Sequence, residues 1–236
     1  MKRAFTLAEV LITLGIIGVV AAVTLPSLIT NIQDKHFKAM FKKQYSAVAQ
    51  AMLASFESGE DIPRFTNDTW ADMVYYVCDI GSRLKYVKSG IKCEVFKDNS
   101  NASVVLNSSN SNPNVIWHRD DEWYNKRKEP QRLNSGYWKY TFYLADGAWI
   151  TFACTRDVFV DVNGAKKPNM IGRDIFYFFI PNGYFQPSFS KNSNSGISGS
   201  VNSCSAPYNE LITEDNYKED CESGSGWGCS PLYILQ

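Results

Sequence analysis

The run FTLAEVLITLGIIGVVAAVTLP, Phe5 to Pro26, carries one charged residue, Glu9. At about 1.5 Å of helical rise per residue, some 20 apolar residues cross a hydrocarbon core about 30 Å thick, and Phe5 to Leu25 has that length. An acidic side chain costs about 2.5–3.5 kcal/mol at mid-membrane and less near an interface. Glu9 stands about one turn from the start, so it is tolerable there but still calls for a cation at its own depth. No Lys, Arg or His lies between Phe5 and Pro26. The partner therefore belongs to another molecule or is created by processing. Ahead of the run stand Lys2, Arg3 and the small Ala4. A cut after Ala4 would leave on Phe5 an α-amino group with a pKa of about 8, largely protonated at neutral pH. That ammonium and the Glu9 carboxylate lie four residues apart, within reach inside one helix or between neighbouring subunits.

A secretory signal peptide would have a shorter apolar region without an acid, closed by a small-x-small cut; here the run ends in Thr24, Leu25, Pro26 and Ser27. A plain single-pass anchor accounts for the hydropathy but not for the residue order. That order, RAFTLAEVLITLGIIGVVAAVTLP, resembles the class III signal of type IV pilins and type II secretion pseudopilins over about thirty residues. In that family a membrane peptidase cuts before a phenylalanine, which is then N-methylated. A glutamate is the fifth mature residue and a kinking proline the twenty-second. Counted from Phe5, these are Glu9 and Pro26. The family usually has glycine before the cut, where this chain has Ala4. The resemblance also implies that Gly15 and Gly18 weaken the helix ahead of Pro26, in line with helix-interior costs of about 1 kcal/mol for Gly and 3 for Pro. Small residues at such places equally allow close helix packing in membranes.

Charge leaves the orientation open, because Lys2 and Arg3 flank one end of the run and Lys35, Lys38, Lys42 and Lys43 the other. Cysteines decide it. Cys78, Cys93, Cys154, Cys204, Cys221 and Cys229 all lie beyond the run, and no C-x-x-C pair is present. An even set of this kind suits disulfides in an oxidising compartment, hence a head outside the cytoplasm. Proximity favours Cys78 with Cys93 and two among Cys204, Cys221 and Cys229; free buried thiols are the alternative. After Pro26, the residues Phe37, Phe41, Tyr45, Val48, Met52 and Phe56 form one apolar helix face. That face seats the head. The lysines from Lys35 to Lys43 are a solvated face or a contact for anionic lipid. Ser58, Gly59 and Pro63 end the helix.

The rest reads mainly as strands. Tyr137–Leu144 and Ala148–Ala153 flank an Asp146-Gly147 hairpin turn, and Val158–Val162 and Ile175–Ile180 flank a loop over Asn163–Arg173. Two Asn/Ser-rich segments, DNSNASVVLNSSNSNPN and SKNSNSGISGSVNS, read as exposed loops. The stretch FVDVNGAKKPNMIGRDIFYFF resembles the strand, D-x-N-G loop, strand pattern of pseudopilin-like heads, some of which hold calcium in a β loop. On that likeness Asp157, Asp161, Asn163 and Asp174 are candidate calcium ligands; the alternative is a tight turn capped by its own side chains.

Chemistry of other kinds finds little support. His36 and His118 are the two histidines, and no nucleophile elbow, phosphate-binding glycine loop or metalloprotease helix is present. The formal charge is zero and the head has no long basic patch, which disfavours nucleic acid as a primary partner. The expectation is a non-enzymatic α+β protein, pilin-like, with a long N-terminal helix, transmembrane then amphipathic, packed on an antiparallel β-sheet head. Its parts are a leader (1–4), a transmembrane half (5–25), an amphipathic half (26–57) and a β-rich head (58–236), with no catalytic residues and no required cofactor. The resemblance implies as partners a prepilin peptidase/N-methyltransferase, other pilin or pseudopilin subunits, an assembly-platform protein and membrane lipid. A membrane-tethered binding protein that never polymerises is the alternative function.

Overall fold

The computed structural model describes residues 6–57, 70–89, 123–131, 139–153, 157–179, 186–187, 212 and 215–235. Helix α1 (Leu7–Glu57) runs without interruption through the apolar run, Pro26 and the amphipathic stretch. Its two halves meet different surroundings. Large apolar side chains from Leu7 to Ile32 are exposed, whereas Phe37, Phe41, Val48, Ala51 and Met52 are buried. The expected apolar face is thus the one that docks; Tyr45 is partly buried and packs against the same core. The side chain of Phe56 lies outside the described residues.

The partner of that face is an antiparallel sheet of six strands in chain order: β1 (Tyr86–Ser89), β2 (Lys139–Leu144), β3 (Trp149–Ala153), β4 (Asp157–Asp161), β5 (Ile175–Phe179) and the two-residue β6 (Gln186–Pro187). The Asp-Gly turn falls where expected. Gly147 adopts φ 91°, a left-handed conformation that glycine enters without a Cβ penalty, and Leu144 N–H donates to Ala148 C=O at 2.8 Å. Successive strand residues point to opposite faces. Phe142, Leu144, Ile150, Phe152, Val158, Val160 and Phe176 join Phe41 and Met52 in one core.

The other sheet face is covered as well. Phe159, Ile175 and Tyr177 pack with Trp123, Ile171, Ile212 and Trp227 in a second cluster, and Thr141 and Thr151 hydroxyls, both buried, bond each other at 2.8 Å. Burial on both faces explains the nearly continuous apolar run of β4, which a half-exposed strand would alternate with polar residues.

The region after α1 contains more helix than its strand-rich pattern predicts. Helix α2 (Trp70–Arg83) adds Val77, Cys78 and Ile80 to the α1 core. It approaches β2 so closely that a Cβ on Gly81 would collide with the Phe142 ring. Two short helices, α3 (Tyr217–Ser223) and α4 (Cys229–Leu235), are joined by the Cys221–Cys229 disulfide. Their pattern is too brief for helical periodicity to register. Tyr233 of α4 brings its ring to 6.3 Å from Phe41 and 5.8 Å from Phe176, while Phe41 and Phe176 stack at 4.0 Å.

Phe41, fully buried, is the anchor of helix-to-sheet docking. Phe41→Ala should lower the head's unfolding free energy by about 3–5 kcal/mol, whereas Leu53→Ala should change it by less than about 0.5, since Leu53 is 61% exposed. Chemical denaturation followed by near-ultraviolet circular dichroism checks both, and equal losses would refute this account of docking.

Candidate functional site

The start of α1 is closed by its own side chains. Thr6 precedes the first helical residue, and its N–H and hydroxyl both donate to Glu9 Oε2, at 2.9 and 2.8 Å. Glu9 N–H donates back to Thr6 Oγ1 at 3.2 Å. This reciprocal capping box satisfies two amides that a helix start otherwise leaves without partners. The T-x-x-E signal for it is present in the sequence as Thr6 to Glu9, and looking for a cation alone misses it. Ala4 and Phe5, the expected cleavage pair, lie outside the described residues.

Further along, the apolar half consumes its own hydroxyls. Thr13 Oγ1 donates to the carbonyls of Glu9 and Val10, Thr24 to Val20, Ser27 to Thr24 and Thr30 to Pro26, at 2.9–3.0 Å. A helix whose surroundings offer no hydrogen bonds needs this inward satisfaction. Three of these hydroxyls fall within four residues of Pro26, where proline withdraws a backbone donor. At Gly15 and Gly18 an added Cβ would meet nothing within 4 Å. Nothing in the chain's own tertiary packing therefore requires a small residue at either position.

The second half of α1 is tied to the head by polar contacts in ascending order. Arg173 Nε donates to Asp34 Oδ1 at 2.8 Å, Lys38 Nζ stands 4.7 Å from the centre of the Tyr233 ring, and Asp146 Oδ2 accepts from Lys43 Nζ and from Gln44 Nε2 at 2.5 and 2.7 Å. The hairpin turn is thereby clipped to α1. Partial burial pushes the Asp146 carboxyl up, but the bonds from Lys43, the Ala148 amide and Gln44 outweigh it and hold the group below the usual carboxylate range.

Of the four candidate calcium ligands, Asp161, Asn163 and Asp174 share one loop and Asp157 stands apart. Asp157 and Asp161 occupy opposite ends of β4, about 13 Å apart at 3.3 Å per residue; the Asp157 side chain is outside the described residues. Asp161 Oδ1 accepts the Asn163 N–H at 3.0 Å. Asp174, fully buried, accepts the Asn169 and Met170 N–H groups at 2.9 and 2.6 Å. Burial raises the Asp174 carboxyl above its ordinary value, with those two amides working against the rise. Asn163 Oδ1 is buried without a hydrogen-bond partner. Calcium takes about six to eight oxygens, and one orphaned oxygen beside two aspartates turned to the loop's own amides does not fit such a shell. Among the described residues no group of three or more His, Cys, Asp or Glu could hold a metal. The D-x-N-G loop is the self-capped turn, with Gly164 at φ 66°.

A second buried aspartate organises the α3–α4 hairpin. Asp220 Oδ1 accepts from the Ser225 N–H and hydroxyl at 2.7 and 2.6 Å, and Oδ2 from the Gly226 and Gly228 N–H groups at 3.1 and 2.8 Å. Cys221 and Cys229, two of the expected disulfide cysteines, are paired. Cys78 is also disulfide-bonded; Cys93, Cys154 and Cys204 lie outside the described residues, as does His118. His36 is exposed on α1.

The described chain is thus an α+β protein with a long helix, apolar and bare in its first half, docked by its second half on an antiparallel sheet. No protein-family model, curated protein or solved structure matches it.

The Asp146 clip generates a pH test. A carboxyl depressed in the folded state contributes stability that is present above its unfolded pKa of about 3.9 and lost as pH falls through the lower folded value. Asp146→Asn should therefore cost about 0.5–1 kcal/mol at neutral pH, the scale of a partly exposed ion pair. The gap from wild type should close below about pH 4. A gap that persists in acid would contradict the charge-based clip.

Proposed function

We propose that the chain is a prepilin-like structural subunit, cleaved after Ala4, N-methylated on Phe5, and assembled through α1 into a type II secretion pseudopilus or a type IV pilus. The observation carrying this reading is the bare apolar surface of α1 from Leu7 to Ile32, continuous with a half that is buried on the head. A surface of that extent needs lipid or other helices around it, and its hydropathy and length suit a membrane span. The open space at Gly15 and Gly18 supports the second environment, because small residues that serve no contact within the chain permit close approach by a neighbouring helix.

In this reading the Thr6–Glu9 box holds the carboxylate while the subunit is stored in the bilayer. Cleavage then supplies the Phe5 ammonium, and a neighbouring subunit's amine draws Glu9 into axial register. The prepilin peptidase/N-methyltransferase, an assembly-platform protein and further subunits are the partners; catalysis, calcium and nucleic acid have no part.

Glu9→Gln tests the charge separately from the cap, since glutamine also closes a capping box. It should leave insertion and cleavage intact and reduce incorporation into sheared filaments by about tenfold, the factor for roughly 1.4 kcal/mol. Ala4→Phe should leave the amino terminus uncut when the purified chain is weighed by mass spectrometry. A photoreactive residue at Ile16 should yield a ladder of cross-linked multimers, and a chain that cross-links only to lipid would instead be a tethered monomer.

A further inference from the structure

We propose that the lower edge of the head, formed by the turn Asn125–Glu129 with Lys35 and Arg173, is a docking surface for the phosphates of anionic lipid headgroups while the subunit is stored in the membrane. This rests on the membrane-anchored reading above. The bare apolar surface of α1 ends at Ile32. The bare surface runs seven residues past Leu25, so a hydrocarbon core of roughly 20 residues can slide along it from the Phe5–Leu25 position; seated from Glu9 to about Ile29, it puts Lys35 about 9 Å higher at 1.5 Å per residue, toward the headgroups. Among the described residues, Arg173 of the head meets α1 at Asp34, one residue before Lys35. The turn lies beside it, because Tyr124 N–H donates to Asn169 C=O and Ile171 N–H to Tyr124 C=O, at 3.0 and 2.8 Å. Asp34 and Arg173 also lie within electrostatic reach of Lys126.

The turn is built to hold cations outward. Asn125 N–H donates to Glu129 C=O at 3.0 Å and Lys128 N–H to Asn125 C=O at 2.9 Å. Asn125 Oδ1 accepts the Glu129 N–H at 2.9 Å, and its Nδ2 donates to Glu129 Oε2 at 2.5 Å. That last bond engages one oxygen of the turn's carboxylate and holds it back toward Asn125. Lys126 Nζ donates to Cys221 C=O at 2.5 Å, fastening the turn to the α3–α4 hairpin. Lys128 is exposed at the tip. Lys128 holds φ 64°, a left-handed conformation that a lysine enters at a cost and that Gly or Asn enters more readily. A cation kept at a strained tip, on the edge of the head that meets α1 at Asp34, is charge-complementary to an anionic surface.

The test uses the full chain in vesicles of phosphatidylcholine alone or mixed in equal parts with phosphatidylglycerol, read by hydrogen exchange of the Asn125–Glu129 amides. Exchange should slow roughly fivefold in the anionic vesicles, the factor for about 1 kcal/mol of charge–surface attraction. Salt near 1 M, which shortens screening to about 3 Å, should abolish the difference. Lys128→Asn removes the charge and suits the left-handed backbone, so it should keep or raise thermal stability while losing the protection. Lys85→Asn, on the loop leading into β1, should keep it. Equal exchange in the two vesicles, equal loss in both variants, or the same slowing from inorganic phosphate added to phosphatidylcholine vesicles would each overturn the proposal. Extraction of the chain by alkaline carbonate would instead defeat the anchoring it rests on.

Discussion

A single helix here carries two unlike surfaces. From Phe37 onward α1 presents a stripe that the sheet covers, and from Leu7 to Ile32 it presents apolar side chains that nothing in the chain covers. A backbone leaving water has to close its own hydrogen bonds, and its polar side chains have to close theirs. The described apolar half does this at each hydroxyl and at its one carboxylate. The division falls near Asp34, which pairs with Arg173 of the head; among the described residues, α1 beyond it packs into a globular core.

The head solves the converse problem, the burial of acids among apolar residues. Asp174 and Asp220 are both buried, and each spends its oxygens on backbone amides of a glycine-containing loop. Their use is local, since every such bond spans at most eight residues. Asp220 and Asp174 thus shape the loops that border the second core around Trp123 and Trp227. Replacing either aspartate with an apolar residue would strand several amides at about 1–3 kcal/mol each.

Much of this was legible in the residue order. The helix, its docking stripe, the Asp-Gly hairpin and the four central strands follow from spacing, because periods of 3.6 and 2 are imposed by burial on one side. The second sheet face was not legible: β4 reads as a strand either way, and the segments that cover it, around Trp123, Ile212 and Trp227, are distant in sequence and short. Helices α3 and α4 were missed for a related reason, as seven residues each give no repeat to detect and a disulfide and an aspartate hold them. At the candidate site, Glu9 was legible as an anomaly, but its pairing with Thr6 required attention to capping as well as to charge. Spacing brought Asp161, Asn163 and Asp174 to one loop yet misplaced Asp157, because sequence proximity along a strand still means separation in space.

The strands lie side by side in the order of synthesis; β2 joins β3 across four residues, β3 joins β4 across three, and β4 joins β5 across thirteen. Such a meander closes mostly nearby contacts, so it can form progressively as the polypeptide is made, with little entropy lost to distant encounters. Helix α4 is different. It delivers Tyr233 against Phe41 and Phe176 from a point in the chain beyond every strand, so the seam between helix and sheet is sealed only after the whole sheet has been made, and a chain interrupted before it leaves that seam open.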